Sequence, residues 1–592
     1  MMKMIKWLAG DSMKKRYAIV LLTAGLIILG SVSALLLLDF PYQLHYTVSP
    51  SQTNPNTLTI TMDVQSSLFS RGKAITFYTG DKAVTLKAST DGAGLQFPVS
   101  EQESSIGLYL GRAKKVSLIY EVQIASSGKH GYRGYSTENY CVFDGGQAFL
   151  LPMEYYQEGY PPDKAVVGRL SVTMKARRGW LSVFPYTELK NVTWFDAYSL
   201  NSDSFFMGVC TPIGEKDGLK IYAASQNQKT IPDTAVKGIA ALYNYYADLF
   251  SFRQKPYQVI LLPSNGESGL SVIGGAGTGS VCATFDPAKR RDWELLSHRM
   301  FHAYFDTVLR VQEIHKAPRL WFYEGLVTYY ENRSMAQLPK EIQVSADIRP
   351  EQEFTSLFNK YLYMRTKDAA QFSLAPMEEQ RIRDSKEGGS QIEFLHYIQA
   401  PLVVRLIEDL NEKRTGKHDA LLMELLKNRG GSSLLSWREL LSRVLGNDAE
   451  SVYQKYFLSN ELLPLWYLRD SNYSEQRTLN DLNDIDYLLA TWMMPQQGQI
   501  PYEELSLTTI PKIKNRPEWR LIHYSDSQTE KNIEKYSPVI HALLKEYALR
   551  ANICNLSLSN PALRNKLLLD KDNIVKWDAW VNSVSLPEHP SN

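Results

Sequence analysis

Residues 17 to 38 form 22 consecutive uncharged, mostly apolar positions, from Tyr17 to Leu38. A helix of about 20 such residues crosses the hydrocarbon core of a bilayer, so this run assigns the two ends of the chain to different compartments. Lys3, Lys6, Lys14, Lys15 and Arg16 precede it, and the first charge after it is Asp39. Cations collect on the cytoplasmic side of a spanning helix. This predicts a cytoplasmic tail over 1–16, a transmembrane helix over 17–38, and a single-pass protein of the cell membrane whose ectodomain lies outside. The competing reading is a cleaved signal peptide, because Ser31, Val32 and Ser33 are small enough to suit a signal peptidase. Cleavage there would leave Leu35–Leu38 as an apolar terminus in water, which favours the uncleaved anchor.

A chain of 592 residues exceeds what one hydrophobic core can organise. From 39 to 228 the apolar residues alternate, as in Leu58, Ile60, Met62 and Val64, or Val116, Leu118, Tyr120 and Val122. Period two with frequent turn residues predicts an antiparallel β-sandwich. The period changes after Pro232. Val236, Ile239, Leu242, Tyr243 and Tyr246 recur at helical spacing, with Asp233 or Thr234 placed to cap the helix. A second domain is expected over 229–465: a strand at 257–262, a glycine-rich loop at 274–279, then mostly helices. Residues 466–592 read as a further helical region broken by prolines.

Lys plus Arg number 65 against 63 Asp plus Glu, so no overall field recruits nucleic acid. The loop around Gly274, Gly275 and Gly277 has neither of the glycine spacings that cradle phosphate, which excludes a nucleotide reading. Cys141, Cys210, Cys282 and Cys554 show no Cys-x-x-Cys spacing. Cys141 and Cys210 could form one bridge, and four free thiols are the alternative.

The chemistry concentrates at Ser297-His298-Arg299-Met300-Phe301-His302. Histidines at i and i+4 share a helix face, where both imidazoles reach one metal ion. Ten histidines in 592 positions make such a pair uncommon by chance. Downstream, Leu320-Trp-Phe-Tyr-Glu324-Gly-Leu-Val-Thr-Tyr-Tyr-Glu331 offers a carboxylate on what should be the next helix. Two His and one Glu leave a coordination position open, the arrangement of a catalytic zinc site. The competing reading is a pair of packed histidines, with Arg299 in a salt bridge to Glu324 or Glu294.

His298-x-x-Phe301-His302 followed by Trp321-Phe-x-Glu324-Gly-x-x-x-Tyr329-x-Glu331 resembles the glycyl aminopeptidase family of gluzincin metallopeptidases, relatives of aminopeptidase N and leukotriene hydrolase. The resemblance covers about 230 to 465 and implies a thermolysin-like α+β domain. It implies zinc on His298, His302 and Glu324, and Glu331 orienting a ligand histidine. It further implies that Tyr397 donates a hydrogen bond to the tetrahedral intermediate, and that the loop with Gly274, Gly275 and Gly277 pairs with substrate backbone.

Two positions depart from the pattern. The family has Glu directly after its first ligand histidine, where it takes a proton from the attacking water; here that position is Arg299. A guanidinium stays protonated and has no acceptor, so it cannot serve as base. Loss of a positioned base typically lowers the rate by about 10² to 10⁴. The loop 274–279 also lacks the family's acidic residue for a substrate amino terminus. The expected function is therefore a membrane-anchored, metallopeptidase-like protein, catalytically impaired, that binds peptide or protein. The alternatives are an active peptidase with a substitute base such as Glu294, and a structural envelope scaffold.

Overall fold

The computed structural model describes residues 42–463 with interior gaps, among them 225–230, 264–271, 274–276 and most of 351–394. The expected transmembrane helix 17–38, the helical extension 466–592, Gly274 and Gly275 lie outside the described residues. Among the described residues no helix is long and apolar enough to cross a membrane. The chain divides after Cys210 into two compact units.

In the first unit the alternating runs form strands as their period requires. A six-stranded sheet runs in the order 188–192, 167–174, 42–50, 57–65, 115–123, 84–91, accompanied by two four-stranded sheets. One face of the large sheet is fully buried: Leu44, Tyr46 and Val48, then Leu58, Ile60 and Met62, then Leu118, Tyr120 and Val122. Burying a tyrosine requires a partner for its hydroxyl. Tyr46 donates to the Leu150 carbonyl at 2.5 Å and Tyr120 to that of Ala148 at 2.9 Å. The expectation of a purely antiparallel arrangement needs correction. Tyr42–Pro50 pairs antiparallel with Thr57–Gln65 but parallel with Val167–Met174. A parallel neighbour needs a long connection, and the chain builds most of this unit before returning to that edge.

The second unit begins earlier than residue 229, because Leu219–Ala224 joins its sheet. That strand pairs parallel with Tyr257–Pro263, which pairs parallel with Ser280–Phe285. Leu219 and Ile221 accordingly point into the second core. Helix α1 (Asp233–Leu249) connects the first two of these strands and buries Ile239, Leu242, Tyr243 and Tyr246. Its cap position is Pro232, with no side-chain hydrogen bond, so neither Asp233 nor Thr234 caps it. Proline's fixed φ suits a helix start, and its carbonyl accepts the amides of Ala235 and Val236.

Three further helices carry the site. Helix α2 (Arg290–Leu309) buries Trp293, Leu296, Met300 and Phe301 and ends on Arg310 at φ 52. Helix α3 (Leu320–Ser334) lies between α2 and α4 (Ala400–Thr415), and α4 is entered through a wide helical turn at Leu395–Gln399. At the α3–α4 contact a Cβ on Gly325 would sit 2.6 Å from the Cβ of Ala400, so only glycine permits this approach. One turn earlier, Trp321 anchors the start of α3 against Trp437 and Phe457, with ring centroids 5.1 and 5.3 Å away. Cys141 and Cys210 are buried thiols, and no bridge joins them.

Candidate metal centre

The helical period sets His298, His302 and Asp306 on one stripe of α2, facing α3. Each imidazole is then fixed by a partner on α3. His298 Nδ1 lies 2.8 Å from Glu331 Oε2, and His302 Nδ1 lies 2.5 Å from the hydroxyl of Tyr323. Tyr323 in turn donates its only proton to Asp306 Oδ2 at 2.8 Å. Asp306 also lies 3.4 Å from His315 Nε2.

These contacts determine the tautomers. The Tyr323 proton is committed to Asp306, so His302 Nδ1 must donate to the tyrosine oxygen, leaving Nε2 with its lone pair. The carboxylate of Glu331 accepts from His298 Nδ1 and imposes the same tautomer there. The two Nε2 atoms face each other at 3.0 Å. Glu324 Oε2 approaches them at 3.4 and 3.6 Å. That oxygen is buried and accepts no hydrogen bond. Three acceptors thus converge within 4.8 Å of one another. Such a cluster is repulsive unless a cation or a proton lies among the acceptors, and two imidazoles with one carboxylate are the donor set for zinc.

When a proton is the occupant, the electrostatics divide the pair. Burial opposes charge on His298, but the neighbouring carboxylates of Glu324 and Glu331 outweigh it and raise its pKa above the ordinary 6.5. His302 is pushed down to about 4 by burial, against the pull of Glu324, with His298 and Arg299 adding to the decrease. Glu324 is held well below the usual carboxylate range because the two histidines outweigh its burial. A proton in the cluster is therefore favoured on His298 over His302.

Of the remaining expected residues, Arg299 and Tyr397 adjoin this centre. Arg299 follows His298 on α2 and is half-buried. Tyr397, on the wide turn before α4, has its ring 6.0 Å from that of His298 and is 39% exposed. Gly277 is buried with φ 61, a left-handed conformation that suits glycine. Glu294 is engaged by Arg290 at 2.6 Å and Arg291 at 3.5 Å, and Glu324 turns to the histidines. Tyr323, Asp306 and His315 were not singled out from the sequence. The spacing of Asp306, four residues after His302, was the available signal.

The sequence matches no protein-family model, and no curated protein matches it. Solved structures are more informative. An aminopeptidase N family protein from Idiomarina loihiensis aligns with a TM-score of 0.54 and 14% identity over 72% of this chain and 78% of that one. The fold is similar to that of the aminopeptidase N family. An M1 zinc metallopeptidase from Deinococcus radiodurans gives 0.43 at 16% identity, covering 72% of this chain and 94% of its own. Yeast LTA4 hydrolase in complex with bestatin gives 0.46 at 10% identity, covering 92% and 94%. At these identities the likeness concerns the fold, and the reading of the site rests on its own geometry.

Proposed function

We propose that this chain is a zinc-binding, metallopeptidase-like protein, held at the cell membrane by residues 17–38, that binds peptide or protein and hydrolyses it poorly. The observation that carries the metal assignment is the convergence of His298 Nε2, His302 Nε2 and Glu324 Oε2, with both Nδ1 atoms occupied from behind. A zinc ion there would act as a Lewis acid toward a bound carbonyl.

The chain's own residues define the rest. Tyr397 offers an O–H donor beside His298, where a bound carbonyl oxygen would develop charge. Arg299 stands where a base is needed and has no acceptor. Glu294, the substitute considered from the sequence, is engaged by two arginines, which opposes its service as a base. The narrower likeness to glycyl aminopeptidases rests on the residues from His298 to Glu331 quoted above, and the membrane anchor on the apolar run.

The test is metal content, measured by mass spectrometry on the purified full-length protein with His298→Ala as control. One zinc per chain, lost in the control, is expected. A folded protein without zinc would overturn the assignment and favour a scaffold.

A further inference from the structure

In the first unit, Val167–Met174 belongs to the six-stranded sheet and Leu181–Val183 to a four-stranded one, so residues 175–180 carry the chain from one sheet to the other. The crossing closes in a tight turn. The Trp180 amide donates to the Arg177 carbonyl at 3.0 Å, and Gly179 takes φ 83, a left-handed conformation that suits glycine. The sequence of this turn is Lys175-Ala-Arg177-Arg178-Gly-Trp180-Leu181, and its three cations are all exposed. Arg177 lies over the Trp180 ring at 4.9 Å, a contact that leaves its charge in place. Among the described residues none of the three meets a carboxylate, whereas Lys87, Lys115 and Arg169 on the large sheet each do. Apolar surface accompanies the charge. Leu181 is 49% exposed, and Val209, the residue after its strand partner Gly208, is 38% exposed.

Cations without partners beside an indole and a bare leucine suit the boundary of an anionic bilayer, where guanidinium and ammonium groups meet phosphates and an indole sits at headgroup depth. The place of the turn in the fold agrees. Tyr42 pairs with Val167 and Val48 with Met174 in parallel strands, so the cationic turn lies at the end of this pair opposite to Tyr42. From Tyr42 to Val48 the strand advances by six residues, about 20 Å. The apolar run stops at Leu38, four residues before Tyr42, a reach of at most about 14 Å. So short a tether at one end lets the strands lie along the bilayer with the turn at its surface. We propose that residues 175–181 form a second membrane contact, in which Lys175, Arg177 and Arg178 bind anionic headgroups while Trp180 and Leu181 enter the interface. This rests on the anchor reading above and adds what a tether alone leaves free, the orientation of the first unit on the bilayer. Each cation near an anionic surface strengthens association about fivefold, so three supply on the order of 10².

Hydrogen exchange tests this on the full-length protein, reconstituted in nanodiscs of phosphatidylcholine and in nanodiscs with a third of that lipid replaced by phosphatidylglycerol. The amides of 176–181 are expected to exchange at least about tenfold more slowly in the anionic discs. The triple variant Lys175→Gln, Arg177→Gln, Arg178→Gln should lose that difference while the strand Thr57–Gln65 exchanges as in the parent. Equal exchange in the two lipids, or slowing that persists in the triple variant, would overturn the contact. Slowing by polyglutamate added to the neutral discs, as large as that by phosphatidylglycerol, would assign the turn to an acidic protein and overturn the lipid assignment. A full-length protein that stays soluble and enters no disc would overturn the anchor instead. Flotation with vesicles of the same two compositions then decides the turn: binding to the anionic vesicles alone sustains it, and binding to neither, or to both equally, overturns it.

Discussion

Replacing Tyr323 with phenylalanine isolates the contact that orients His302. The change deletes one oxygen. The ring that remains keeps its stacking on Phe305, with centroids 5.7 Å apart, and its place beside His302, so the helices have no reason to move. What is lost is the acceptor for His302 Nδ1–H and the donor to Asp306, which is 2% exposed. The proton on His302 is then no longer held at Nδ1 and can shift to Nε2, occupying the lone pair that a metal needs. Partners of this kind are worth about 10- to 100-fold in metal affinity, which is about 1.4 to 2.7 kcal/mol. A hydrogen bond within a charged network, worth about 1.5 to 3 kcal/mol, gives a similar figure. The assay is competition for zinc against a fluorescent chelator, with circular dichroism to verify the fold. A folded variant whose zinc affinity stays within about twofold of the parent would refute the tautomer argument.

Other outcomes follow from the same structure. On the proposed function, Arg299→Glu places an acceptor beside the metal position and should raise peptide hydrolysis by about 10²-fold or more over the parent, read with a fluorogenic peptide panel; a zinc-loaded, folded variant that stays inert would refute the assignment of a base role to that position. Gly325→Ala places a methyl 2.6 Å from Ala400 and should lower the melting temperature, by an amount corresponding to about 1 to 3 kcal/mol for overpacking. Burial pushes Glu408 up to about 7, against the hydrogen bonds it accepts from the Leu421 and Ala420 amides and with Asp419 adding to the rise. A raised folded-state pKa contributes stability that is fully present below about 4.5 and lost as pH climbs to 7, so melting temperature should fall between about pH 4.5 and 7.5, by an amount on the order of 2 to 3 kcal/mol, and level off above that. In Glu408→Gln that slope should be largely absent.

The parts of the site legible from sequence are those set by helical period alone. His298 and His302 share a face because they are four residues apart, and the structure brings Glu324 and Glu331 to them from the adjoining helix. Asp306 continues the same stripe and was open to the same argument, but one aspartate on a helix carries no signal without its partners. Tyr323 read as one aromatic among several in Trp321-Phe-Tyr, and nothing local distinguishes the one whose hydroxyl meets a histidine. His315 could not be found this way, because it sits on a short helical turn at Gln312–His315 that packing alone brings to Asp306. The fold divides similarly. Alternation revealed the strands, whereas the parallel pairing of Tyr42–Pro50 with Val167–Met174 joins segments more than a hundred residues apart. The boundary at Cys210 was hidden because Leu219–Ala224 has the same period as the strands before it, although it belongs to the other core.

The near-contact of Gly325 with Ala400 bears on how such a site can change. Here the spacing between the ligand helix and the start of α4, directly after the turn bearing Tyr397, is set by the Gly325 backbone against Ala400, with no larger side chain as a spacer. Residues lining the cleft can therefore be exchanged without altering the frame that holds them. An arginine can stand at 299 while His298, His302, Glu324 and Tyr397 keep their places, so the chemistry of the cleft can vary on an unchanged frame.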